Sequence, residues 1–295
     1  MSEELTKALS DVLPPGTAPV YPSTPESLRD FLKDNGAYRP LHAVMQIEEV
    51  HAFVQCIDYM QDAFHWERPM IFRGHRDYQW KLVPSLMRPP IFNGVPSSRE
   101  VDELERELLL AFRKRAQPFL RQLPSGLEEW WEWTALAQHH FLPSRFLDWT
   151  YRAATALFFS VENRPTSAPA DYACVWAIKA PRHLDTIAHK YPHADMPVQL
   201  YDPPHISPRI TMQQGCFTVH PSHYLKTYFE WIEGPRVLFL IRNSLHTKIR
   251  RSLQAIGVHM ASIYPDLDGI SAHLTETVAK YRDLHKRPDR DRHDA

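Results

Sequence analysis

Apolar positions along this chain follow two rhythms. Where they recur every three or four residues they mark amphipathic helices. Ser23 or Thr24 followed by ESLRDFLKDN predicts a capped helix, with Glu26 in its first turn and Leu28, Phe31 and Leu32 on one face. IEEVHAFVQCIDYMQDAF predicts a second. The clearest is SSREVDELERELLLAFRKRAQPFL, where hydroxyl caps precede an acidic first turn and basic residues come late, complementing the helix dipole. LEEWWEWTALAQHH predicts a helix that stops before Pro143, AATALFFSVEN a short buried helix, and LHTKIRRSLQAIG a helix closed by Gly257 as its C-cap. PMIFRG, closed by Gly74, reads as a strand, as do YACVWAIKA, GCFTVHP and PRVLFLI. Helices come first and strands concentrate later. The expectation is an α+β fold with N-terminal and flanking helices around a mixed or mainly antiparallel sheet.

Composition bounds this picture. The chain has 295 residues, 43% of them hydrophobic, enough for a large core in one elaborate domain. Residues 1–24 carry VLPPGTAPVYPSTP, whose prolines oppose regular structure, and are expected to be a flexible arm. Residues 25–280 are expected to form a single domain, and 281–295, ending KRPDRDRHDA, a charged tail. Lys and Arg (34) balance Asp and Glu (35), so a basic groove has to be local and strong nonspecific binding to nucleic acid is disfavoured. Three widely spaced cysteines, Cys56, Cys174 and Cys216, and a start without an apolar leader point to a reducing, cytoplasmic setting. No run is long and apolar enough to span a bilayer, so no membrane partner is expected.

The sequence lacks GxxxxGK[ST], GxGxxG, HExxH, GxSxG and CxxC. Three polar clusters within apolar sequence remain. In FRGHRDYQW, Arg73 ends a strand with a rigid fork of donors suited to phosphate or carboxylate, and Gly74 permits close approach of a ligand or a neighbouring backbone. A buried structural salt bridge is the competing reading for Arg73. In AQHHFLPSRFLDWT, residues 137–150, the mixture of His139, His140, Arg145, Asp148 and Thr150 with Phe146, Leu147 and Trp149 has the character of a cleft lining. Adjacent histidines do not suit one metal ion, so no metal is expected; His139 and His140 could equally be a hydrogen-bonded pair at a helix end, and Asp148 an ion-pair partner of Arg145. In RITMQQGCFTVHP, Gln213 and Gln214 either rim a pocket or make an ordinary polar turn.

Taken in order, FRGHRDYQWKLVPSLMR, AQHHFLPSRFLDWT, ATALFFSVEN, QQGCFTVHP and YPDLDG resemble the succession that characterises the FRG-domain family, named for its Phe-Arg-Gly. The resemblance runs from about Arg39 to about Ile270. One departure stands out: Phe141 follows the histidine pair where the family pattern has glycine.

A second resemblance is to the core of ADP-ribosyltransferases of the arginine-serine-glutamate type. It implies Arg73 for the NAD pyrophosphate, Thr150 and the following ATALFFS for the hydroxyl strand and its helix, and Gln213-Gln214 for the turn that completes the NAD pocket. No glutamate occupies that third place, so Asp148 is the expected source of the carboxylate. The implied catalytic set is Asp148, Gln213, Gln214 and His140; the implied nucleotide-binding set is Arg73, Gly74, His139, Arg145, Trp149 and Thr150. The expectation is then an NAD-consuming mono-ADP-ribosyltransferase acting on nucleic acid or protein in a toxin or phage-defence role. A nucleotide- or nucleic-acid-binding module without chemistry is the alternative. A hydrolase using His139 or His140 as acid or base is disfavoured because no nucleophile accompanies them.

Overall fold

In the computed structural model, the described residues are 5, 9, 13, 19–35, 42–63, 68–92, 94, 96–120, 124, 129–162, 171–192, 196–204, 208–223 and 236–285. The helices are α1 (Pro25–Asn35), α2 (Val50–Ala63), α3 (Ser98–Ala116), α4 (Glu129–His139), α5 (Ala153–Val161), α6 (Pro208–Gln213), α7 (His246–Ala255), α8 (Met260–Ile263) and α9 (Leu267–His285). The strands are β1 (His42–Gln46), β2 (Met70–His75), β3 (Phe146–Thr150), β4 (Tyr172–Lys179), β5 (Gln199–Tyr201), β6 (Gly215–Val219) and β7 (Arg236–Arg242). They form one sheet in the order β1-β7-β4-β2-β3-β6-β5, in which β1 runs parallel to β7 and the other neighbours are antiparallel. The fold is therefore α+β with a mixed sheet.

The central strands are apolar on both faces because both faces are covered. In β4, Ala173, Val175 and Ala177 enter one core while Cys174, Trp176 and Ile178 enter the other. In β7, Val237, Phe239 and Ile241 alternate in the same way with Leu238 and Leu240. The first core is sealed by α2 through Phe53, Cys56 and Met60, by α5 through Ala156, Leu157 and Phe158, and by α7 through Ile249 and Leu253. The second core holds Tyr78, Leu82 and Trp149, and also Leu5, Leu9 and Leu13. Those three leucines, in the stretch expected to be a flexible arm, are buried at helical spacing. Cys56, Cys174 and Cys216 are free and buried.

The capping signal before α3 is realised in full: Ser97 accepts from the Glu100 backbone N–H while the Glu100 carboxylate accepts from Ser97 N–H. Helix α7 ends two residues before Gly257, which has φ +82°. Strands and helices are interleaved, contrary to the expected order of helices first. Strand β1 precedes most helices and gains its place by pairing with β7, almost two hundred residues later. Helix α9 runs through His285, past the expected start of the tail at 281, and the rest of that tail lies outside the described residues. Among the described residues no helix is long and apolar enough to cross a membrane.

Candidate functional site

Strands β2 and β3 are paired at a single position, Phe72 with Thr150. On its other edge β2 is paired with β4 along its whole length, from Met70 to His75. The sheet thus opens where β2 and β3 diverge, and a cavity of about 640 Å³ lies at the opening. Arg73 stands in the gap. Its Nη1 donates to the Asp148 carbonyl at 2.5 Å, in the manner of a missing ladder bond, and lies 3.5 Å from the Asp148 carboxylate.

The Phe-Arg-Gly triplet has three distinct duties. Phe72 is buried in the core beneath the sheet. Arg73 faces the gap. Gly74 lies against α5 so closely that a Cβ there would sit 2.0 Å from the Ala156 carbonyl oxygen and 2.8 Å from Ser160 N. The glycine lines the cavity, and the backbone that occupies its Cβ space is the helix that carries Glu162 to the cleft.

Asp148 is held from several sides. Gln138 Nε2 donates to its two carboxylate oxygens at 3.3 and 3.2 Å, and Ser144 Oγ donates to Gln138 Oε1 at 2.8 Å, which fixes the amide's direction. Arg73 Nε donates to His75 Nε2 at 2.8 Å, so a neutral His75 carries its proton on Nδ1. Burial, with the Arg73 and Arg88 charges close by, pushes His75 well below its ordinary value and keeps it neutral. Arg88 is itself brought down to about 10 by burial and by Arg73, with Asp148 opposing the shift. Burial lowers Arg73 too, against the pull of Asp148. Two guanidiniums thus share one solvent-exposed carboxylate, leaving a locally positive wall in a chain with no net field.

The same cleft holds a second polar group. Tyr264 Oη donates to Glu162 at 2.9 Å, and the Arg209 guanidinium lies 4.2 Å from the Tyr264 ring centroid. Burial raises the Glu162 carboxyl, while Tyr264, Arg76 and Arg209 favour its charged form. Tyr264 is positioned by the turn that follows it. A Cβ at Gly269 would meet the Tyr264 carbonyl oxygen at 1.9 Å, and Asp266 caps α9 by accepting from Gly269 N–H at 2.8 Å. YPDLDG is therefore a device that seats α9 directly on Tyr264.

Of the residues read from sequence, Arg73, Gly74, His139, Asp148, Trp149, Thr150 and Gln213 line this one cleft. Thr150 Oγ1 donates to the Gln213 carbonyl at 2.6 Å and accepts from Arg152 N–H, bracing the turn between α6 and β6. Gln213 Nε2 donates to the Ile263 carbonyl, so its amide is committed to tying α6 to α8. Three others are not brought to the cleft. Arg145 is 1% exposed and pairs with Glu105 at 2.5 Å and Asp102 at 2.6 Å, which corrects the pairing with Asp148: the two residues are three apart on or beside a strand and point to opposite sides. His140 packs its ring against Phe112 in an apolar groove between α3 and α4, because the helix ends there and the chain turns. Gln214 is exposed at φ +45°, and its carbonyl accepts from Tyr151 N–H, which makes it a turn residue. His139 and His140 meet edge to face at 5.1 Å, not as a hydrogen-bonded pair. Trp149 borders the cleft, yet its indole is buried and donates to Thr218 Oγ1; Tyr78 is buried too, so neither offers a free stacking face.

Sequence reading missed Arg76, Trp80, Glu162, Arg209 and Tyr264, all of which line the cleft. Signals were present: Glu162 falls in ATALFFSVEN and Tyr264 opens YPDLDG, but one charge or ring at the end of an apolar stretch carries no direction until the chain is folded. Among the described residues no group of three or more His, Cys, Asp or Glu side chains could hold a metal ion.

Residues 68–168, about a third of the chain, match the family model of the FRG domain. The matched stretch contains the Arg73 wall, the β2–β3 opening and Glu162, and leaves out Arg209, Gln213 and Tyr264. Neither a curated protein nor a solved structure matches the chain.

Proposed function

From the match of residues 68–168 to the FRG domain we propose that the cleft binds NAD and that the chain is a mono-ADP-ribosyltransferase modifying a nucleic acid or a protein, in a toxin or phage-defence setting. The observation that carries this reading is the opening of the sheet beside the lone Phe72–Thr150 pair, with Arg73, Asp148, Thr150 and Gln213 around it. Strands β2, β3 and β6 are adjacent in the sheet, and the arginine, the hydroxyl and the glutamine turn follow one another along the chain as the ADP-ribosyltransferase resemblance implies. A cavity of about 640 Å³ suits a dinucleotide-sized ligand.

In this reading Arg73 binds the pyrophosphate, with Arg209 a second guanidinium in the same cleft. The bond between nicotinamide nitrogen and ribose C1′ breaks, nicotinamide leaves with the electron pair, and positive charge develops at C1′. An acceptor nucleophile then bonds to C1′ and gives up its proton. Asp148, held by Gln138 and Arg73, is the preorganised carboxylate that stabilises the developing charge. Glu162 is a second carboxylate in the same cleft, on the Tyr264 side.

The test is incubation of purified protein with adenine-labelled NAD and cell extract, following nicotinamide release and label on macromolecules. Release and labelling by wild type, lost in Arg73→Ala, is the expected result. One observation favours the alternative of a nucleotide-binding module: the turn before β6 carries two neutral glutamines, and Gln213 is already committed to Ile263. Saturable NAD binding without nicotinamide release, with every acceptor supplied, would establish that alternative.

A further inference from the structure

Phe141 occupies a backbone conformation that phenylalanine disfavours. Its φ is +64°, in the left-handed region. The hydrogen bonds explain why the chain needs that conformation: Leu142 N–H donates to the Ala137 carbonyl at 2.9 Å and Phe141 N–H to the Gln138 carbonyl at 2.9 Å, a Schellman closure of α4 that puts Phe141 where glycine normally sits. Glycine is also the residue that the FRG resemblance leads one to expect here.

Packing does not compensate the strain, because Phe141 is 85% exposed. A large ring that costs backbone strain and gains no burial is left available for contact with a ligand. Its location says what: Phe141 lines the cleft, beside His139. Trp80 lines the same cleft, is 47% exposed, and carries the Arg76 guanidinium 5.6 Å from its ring centroid. Exposed aromatic faces accompanied by guanidinium groups are the chemistry that stacks flat heteroaromatic rings.

We propose that Phe141 is a stacking platform at the mouth of the cleft for the planar heteroaromatic ring of a nucleotide, and that it sets the ligand preference of this chain. The proposal rests on the reading of the cleft as a nucleotide site. The ring belongs either to NAD itself or to an unpaired base of a nucleic-acid acceptor, and both present the same π-face.

The experiment is calorimetric titration of wild type, Phe141→Gly and Phe141→Tyr with NAD and, separately, with a short single-stranded oligonucleotide, together with thermal melts. Phe141→Gly is expected to raise the thermal midpoint by roughly 2–4 °C, since the left-handed position no longer holds a Cβ. The same variant is expected to weaken one of the two probes by roughly tenfold, and Phe141→Tyr to retain wild-type affinity. Weakened NAD binding assigns the ring to the dinucleotide; weakened oligonucleotide binding alone assigns it to an acceptor base. Unchanged affinity of Phe141→Gly for both probes, while wild type binds at least one, overturns the proposal and leaves the nucleotide site standing. Wild type binding neither probe overturns both.

Discussion

Two arginines flank the same strand pair and show opposite solutions to burying a guanidinium. Arg145 sits just before β3 with a carboxylate on each side, Glu105 at 2.5 Å and Asp102 at 2.6 Å, and Ser222 Oγ donates in turn to Asp102. Arg73, on β2, has an imidazole nitrogen, a carbonyl oxygen and one exposed carboxylate at 3.5 Å, with Arg88 as a nearby like charge. The first cluster joins α3 to the start of β3 and holds more negative than positive charge. The second is under-compensated and open to a cavity. Residue type is the same at both positions; what separates structure from site is whether the surroundings already supply the negative charge.

The strongest way to break this comparison is to remove each arginine. Arg145→Ala leaves Glu105 buried without its partner and is expected to destabilise the fold by about 3–5 kcal/mol in chemical denaturation. Arg73→Ala is expected to cost only about 1 kcal/mol, because its ionic partner is 57% exposed and readily hydrated, while NAD affinity falls by roughly tenfold to a hundredfold. Equal losses of stability in the two variants would erase the distinction.

Next in size is the carboxylate on the Arg73 side. Asp148→Asn is expected to lower turnover by roughly a hundredfold with little change in NAD affinity, since the amide preserves the shape but not the charge. Glu162→Gln in the same assay sharpens the assignment: a larger fall than in Asp148→Asn would move the charge-stabilising role to the Tyr264 side of the cleft.

Gly74→Ala probes the scaffold of the open site without touching its charges. A methyl group 2.0 Å from the Ala156 carbonyl oxygen has to push α5 off β2, at an expected cost of about 1–3 kcal/mol in thermal unfolding. A neutral result would mean that α5 is not held as closely as the geometry requires.

The last effect is graded and appears only in acid. His75 beside Arg73 and His220 between the two arginines are buried and held neutral, His220 down to about 3, mainly by burial and then by the arginine charges. Their folded values lie below the unfolded value of 6.5, so the unfolded chain takes up protons first as pH falls. Stability is complete above pH 6.5 and should decline below it, by up to about 1.4 kcal/mol per pH unit for each histidine, continuing towards about pH 3 for His220. Denaturation curves between pH 7 and pH 4 measure the slope. Loss of one histidine's share in His75→Gln, in a variant that still folds, is the expected signature.

The two rhythms of apolar residues determined most of the elements, because a helix face and a two-sided strand are local properties of period 3.6 and period 2. They also marked Arg73, Asp148, Thr150 and Gln213 as polar exceptions within apolar sequence, and those four do meet in one cleft. Short elements whose stability comes from a distant partner escaped: β1 is held by β7, and β5 by β6. Which arginine is closed and which is open was decided only by tertiary structure, since Glu105 and Asp102 approach Arg145 from forty and more residues away and nothing in the local sequence announces them. The same holds for Glu162 and Tyr264, 102 residues apart and joined by one hydrogen bond in the cleft. Phe141 lies between the two cases. Its sequence context exposes the departure from glycine, but only the backbone, bent into the left-handed region by the hydrogen bonds that end α4, gives the physical reason why glycine was expected there.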